Sequence, residues 1–124
     1  MESILTSIKK LLGPTEEMEH FDTDIIIHIN TVFMILTQMG VGPADGFSIK
    51  DKTAVWTDFI PEVNKIEAVK TYVYLKVKLI FDPPQSTSTL NAINESIKEL
   101  EWRLYEIADR TSMKLSEEEN QNGE

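Results

Sequence analysis

The chain contains no cysteine. Disulfides, thiolate zinc sites and cysteine nucleophiles are excluded together, and the absence fits a reducing compartment. Glycine is scarce as well. The five glycines stand at 13, 40, 42, 46 and 123 and fit neither a phosphate-binding loop nor a dinucleotide fingerprint. Positive charge is short: 12 Lys and Arg oppose 21 Asp and Glu, for a formal charge of −9 and a pI near 4.7. Four acids, Glu117, Glu118, Glu119 and Glu124, sit in a polar tail, but without them 17 acids still face 12 bases. This balance argues against gripping nucleic acid by phosphate neutralisation and against docking on an anionic membrane. Residues 25–44 carry no Asp, Glu, Lys or Arg, yet His28, Asn30, Thr31, Thr37, Gln38, Gly40, Gly42 and Pro43 interrupt them. Those groups are expensive in hydrocarbon, so the run reads as a buried helix and not a membrane span. The opening MESILTSIKKLLG has no basic region ahead of a continuous apolar stretch and no small-residue cleavage site. It is expected to be helix, not signal peptide.

What is present is 124 residues, 41% of them hydrophobic and 27% charged, enough for one domain with one core. Ile4, Leu5, Ile8, Leu11 and Leu12 form a helical stripe that Gly13-Pro14 ends. Asp22 is a candidate N-cap for the next helix, Asp24 lies in its first turn, and Gly40 is placed to end it. Ile25, Ile29, Val32, Leu36 and Met39 make its core face, whereas Ile27 and Met34 lie almost opposite. A helix apolar on more than one side is central or is covered by a partner. Residues 41–60 mix turn chemistry at Gly42, Pro43, Asp45 and Gly46 with Phe47, Ile49, Val55, Trp56, Phe59 and Ile60. They are expected to form a structured loop holding a short hairpin or one helical turn around 53–59.

A long antiparallel helical hairpin follows, 61–81 and 87–110. Pro61 suits the first turn of its first arm. That arm carries one stripe of Ile66, Val69, Val73, Val77 and Ile80, and a second of Ala68, Tyr72, Leu75 and Leu79. Asp82-Pro83-Pro84 breaks the helix, and Ser86 or Ser88 caps the second arm. There Leu90, Ile93, Ile97, Leu100, Leu104 and Ile107 alternate spacings of three and four, a heptad seam. The fold class is therefore all-α, a small bundle of four to five helices over residues 1–110. Residues 111–124 are expected to be a polar acidic tail, flexible or ordered by a partner.

Signals for chemistry are weak. His20, Asp24 and His28 are spaced i, i+4, i+8, a ligand pattern only if one helix carries all three. Asp22 as N-cap would leave His20 outside that helix. The paired carboxylates Glu16/Glu17, Glu62/Glu67, Glu95/Glu99 and Glu101/Glu106 read as solvated faces, with Glu95–Lys98, Glu99–Arg103 and Glu106–Arg110 as helical partners. Neither catalytic residues nor a metal or cofactor is expected. The aromatics say more. Trp102 lies off the heptad seam among charged residues, with Tyr105 beside it. It either leans on a neighbouring helix or anchors an interface, where Trp and Tyr are over-represented; Trp56 and Phe59 pose the same choice. The candidate interface residues are Ile27, Met34, Phe47, Trp56, Phe59, Tyr72, Leu75, Leu79, Trp102 and Tyr105.

Three stretches, DTDIIIHINTVFMILTQMGVGP, GFSIKDKTAVWTDF and IEAVKTYVYLKVKLIFDPPQSTSTLNAINESIKELEWRL, resemble the small helical head–tail connector proteins of tailed bacteriophages, also called adaptor or head-completion proteins. The resemblance covers roughly residues 20–105, and the hairpin with its FDPP corner is its most characteristic part. It implies a non-enzymatic virion protein at the neck, assembled as a homo-oligomeric ring, commonly twelve-fold, beneath the portal. Such a ring extends the channel for double-stranded DNA without binding it specifically and meets a tail-side neck or stopper protein. It also implies that residues 105–124 correspond to the part reaching toward the portal. The competing reading is a small helical protein-binding or regulatory module, dimeric through the 90–107 seam.

Overall fold

The computed structural model describes residues 2–13 and 19–122, with side chains through 109. Five α-helices appear among them: α1 (Ile4–Leu12), α2 (Asp22–Met39), α3 (Trp56–Phe59), α4 (Val63–Phe81) and α5 (Thr87–Asn122). The described residues contain no strand, only an isolated antiparallel bridge between Ser3 and Val55. The all-α bundle and the α4/α5 hairpin are as the sequence indicates.

Ser3 caps α1, its hydroxyl accepting the Thr6 N–H at 3.2 Å. Asp22 is not the cap that spacing suggests. A 3-10 turn, Glu19–Phe21, leads into α2, and the Asp22 carboxylate lies 2.7 Å from the nearly buried Lys9 ammonium on α1. A buried charge without a partner is costly, and this need draws Asp22 away from capping. At the far end of α2, Gly40 adopts φ 89°. The Val41 N–H reaches the Leu36 carbonyl and the Gly40 N–H that of Thr37, the double bond of a Schellman ending.

The 41–60 segment is a structured loop ending in one helical turn, α3. It is held from both sides. The Asn30 side chain on α2 donates to the Ile49 carbonyl at 3.0 Å and accepts the Ile49 N–H at 2.8 Å. The Ile4 N–H donates to the Ala54 carbonyl at 3.0 Å. The Asp58 carboxylate accepts the Val55 N–H at 2.9 Å, closing the turn that carries Trp56. Gly42 has φ 86°, and a Cβ there would stand 2.2 Å from the Phe59 ring, so glycine permits the loop to lie on α3. In the exposed bend before it, hydrogen bonds from the Thr53 hydroxyl and amide hold the Asp51 carboxyl below its usual range.

α4 sits in the middle of the bundle, packed on α1, α2, α3 and α5. Its helix begins at Val63, two residues beyond Pro61, with Glu62 as cap. Ile66, Val69, Val73 and Val77 are buried as the first stripe requires, whereas Ile80, near the FDPP corner, is exposed. Phe21 at the start of α2 meets Phe81 at the end of α4 with ring centroids 5.5 Å apart, and Phe33 in the second half of α2 meets Phe59 just ahead of α4 at 4.6 Å. α2 and α4 are thus antiparallel. α5 reverses direction again and so runs the same way as α2. Ser86 starts α5, its hydroxyl 3.4 Å from the Thr89 N–H. The helix continues unbroken past 110 to Asn122, because no Gly or Pro interrupts Glu, Lys, Leu and Met until Gly123.

Candidate assembly interface

Two sets of exposed apolar and aromatic side chains remain once the core is assembled. On α2, Ile27 and Met34 are each 56% exposed. They lie on the face opposite Ile25, Ile29, Val32 and Leu36, all buried. On α5, Trp102 is 63% and Tyr105 52% exposed; Trp102 lies nearly opposite the buried Leu104, and Tyr105 lies toward Tyr72 at the edge of the α4/α5 seam. The charges beside them are tied within the helix: Arg103 pairs with Glu99 at 2.7 Å and Lys98 with Glu95 at 3.5 Å. The Glu106–Arg110 pair lies outside the described side chains. Trp102 is thus exposed over most of its surface within the chain.

Three other candidates are core residues, which corrects their assignment to a partner surface. Trp56, Phe59 and Tyr72 are buried within the chain. Trp56 packs on Phe33, with centroids 6.3 Å apart, and its indole N–H donates to the Ser7 hydroxyl at 2.8 Å. Ser7 in turn donates to the Ser3 carbonyl, so a chain of hydrogen bonds joins α3 to α1. Tyr72 is buried between α4 and α5 and donates to the Glu101 carboxylate at 3.1 Å. Burial, and then the nearby Glu101 charge, push the phenol's pKa well above its ordinary value. Phe47 is half-buried, set edge-on against Phe33 at 5.0 Å. Leu75 and Leu79 are half-buried against the core. Leu11, Val63 and Ile80 are also exposed; Leu11 and Ile80 fall in core stripes by sequence spacing, and Val63 lies at the helix end.

The heptad seam of α5 faces α4. Ile97 and Leu104 are buried and Ile93, Leu100 and Ile107 half-buried, so the seam is used within the chain. Among the described residues, no group of three His, Asp or Glu converges as a metal site would require. His20 lies in the 3-10 turn against Phe21, off the helix that carries Asp24 and His28. No helix among them is long and apolar enough to cross a membrane. A groove beside Ile107 of α5 is bounded by Gly42, Pro43, Phe59 and Pro61, with the charged Asp58, Glu62 and Lys65 also lining it.

A family profile described as Phage connector protein matches residues 4–111. Neither a curated protein nor a solved structure matches the chain significantly. The matched segment starts with α1, contains both exposed faces and ends within α5, and the chain belongs to the phage connector protein family.

Proposed function

We propose that this chain is a structural virion protein of the neck, forming a homo-oligomeric ring between the portal and a tail-side neck or stopper protein. Membership of the connector family across residues 4–111 carries the reading. Two features of the molecule support it. One subunit exposes two chemically different patches on two helices, and contacts between unlike patches generate rings when the rotation closes. The charge of −9 suits a conduit through which duplex DNA slides without being held, since nothing neutralises its phosphates. The far end of α5 is the segment that reaches for the portal, presented to it as helix through Asn122. The role is one of joining and sealing, not catalysis. A dimer through the 90–107 seam would compete with the α4 packing that already covers it.

The test is genetic. Without this protein, infected cells accumulate heads and tails that do not join, seen by electron microscopy of the lysate. Tailed particles in normal yield would overturn the reading.

A further inference from the structure

We propose that the ring contact is a helix pair, with the outer face of α2 on one copy lying parallel against the outer face of α5 on the next. This inference rests on the ring reading above and specifies the surfaces that form it.

The residues carry it through spacing. On α2 the outward positions Ile27, Thr31, Met34 and Gln38 follow one another at intervals of four, three and four. On α5 the outward positions Lys98, Trp102, Tyr105 and Asp109 repeat the same intervals. All eight are exposed. Each helix thus carries two large apolar or aromatic side chains on an outward row of equal length, framed by polar residues, and exposed apolar patches rimmed by polar groups mark interaction surfaces. The compositions are complementary. Small Thr31 leaves room for a large ring, and Met34 supplies a thioether that contacts aromatic rings favourably. Trp102 and Tyr105 offer those rings.

Charge selects the occupant. Every copy carries −9, so a second copy must approach where acids do not oppose acids. The α2 stripe from Ile27 to Gln38 has no charged residue and accepts the acidic surroundings of Trp102 without repulsion. The two symmetric alternatives are worse. Pairing α5 with α5 would bring Glu106 and Asp109 toward a second acidic face, while Glu95 and Glu99 are already paired with Lys98 and Arg103. Pairing α2 with α2 would leave Trp102 and Tyr105 in water.

Direction follows from the fold. Within one subunit α2 and α5 both pack on α4 and run the same way, and Gly40 at the end of α2 approaches Ala108 on α5. In a closed ring of many copies the rotation between neighbours is small, so one copy's α2 stays nearly parallel to the α5 of the next. Gln38 then lies beside Asp109 of the neighbour, and Ile27 beside Lys98.

The absence of native cysteine makes cross-linking clean. The variants are Gln38→Cys/Asp109→Cys for the parallel pairing, Gln38→Cys/Lys98→Cys for the antiparallel one, and each single substitution. All are exposed positions. Each variant is assembled, sized by native mass spectrometry and treated with a short bismaleimide. The stripes are about 16 Å long, so the linker distinguishes their two ends. The expected result is a ladder of covalent multimers from the first double variant and only monomer from the singles. Three results overturn the pairing while leaving the ring intact: a ladder from the second double variant instead, covalent dimers from any single variant, or assembled rings that do not cross-link. Unassembled protein in every variant and in the wild type, alone and with portal, would overturn the ring itself.

Discussion

The Ser7 hydroxyl accepts the Trp56 indole N–H at 2.8 Å across 49 positions of sequence, and both residues are buried. A buried donor that loses its acceptor costs about 1–3 kcal/mol. Ser7→Ala is expected to lower unfolding stability by about that amount in urea titrations without changing assembly; an unchanged midpoint would mean the indole finds another acceptor. Tyr72 makes a second prediction, in alkali. Its phenol stays protonated when folded but ionises near its ordinary pKa of about 10 when unfolded. Above that pH the unfolded chain binds fewer protons than the native one, so stability falls as pH rises. Tyr72→Phe should flatten this loss between neutral pH and pH 11, read from thermal melts; an unaltered slope would assign the alkaline loss to other groups. Neither residue was legible as it stands. Trp56 and Tyr72 look like partner anchors in sequence, because periodicity reports one helix at a time. Trp56 becomes core through a loop that Asn30 and Ile4 fix from elsewhere in the chain. The exposure of Trp102 was legible, because its neighbours at helical spacing are charged.

At the scale of elements, α1, α2, α4 and the start of α5 follow from stripe periodicity and from Gly13, Gly40 and the Asp82-Pro83-Pro84 corner. Boundaries moved where tertiary demands intervened. Asp22 serves Lys9 instead of capping α2, and Ile80 is exposed while its neighbour Phe81 packs on Phe21. The largest difference is the length of α5, 36 residues against 19 in α4. Polarity in the sequence beyond 110 marks a segment without a core to join, but a polar helix needs none to keep its backbone bonds. A chain ending at residue 110 is expected to lose helical circular dichroism in proportion to the residues removed, to melt at an unchanged temperature and to bind the portal more weakly. A melting temperature lowered by several degrees would show that the extension supports the bundle.

The whole molecule is a small helical bundle whose core is closed by one chain, with unlike faces left open on α2 and α5. The exposure of Ile27 and Met34 was legible in sequence, because they break the polarity of their side of α2. Which apolar residues were spare and which were core was not, since that depends on how α3 and the 41–60 loop fold over α1 and α2. The central claim is that these faces build a ring on the portal. It is tested most directly by native mass spectrometry of the protein mixed with the portal protein of the same genome, comparing wild type with Trp102→Ala. The account predicts a multi-copy ring on the portal for the wild type and partial or no rings for Trp102→Ala, with the two monomers melting within a degree or two of each other. A wild-type dimer that ignores the portal, or a Trp102→Ala protein that assembles as fully as the wild type, would contradict it.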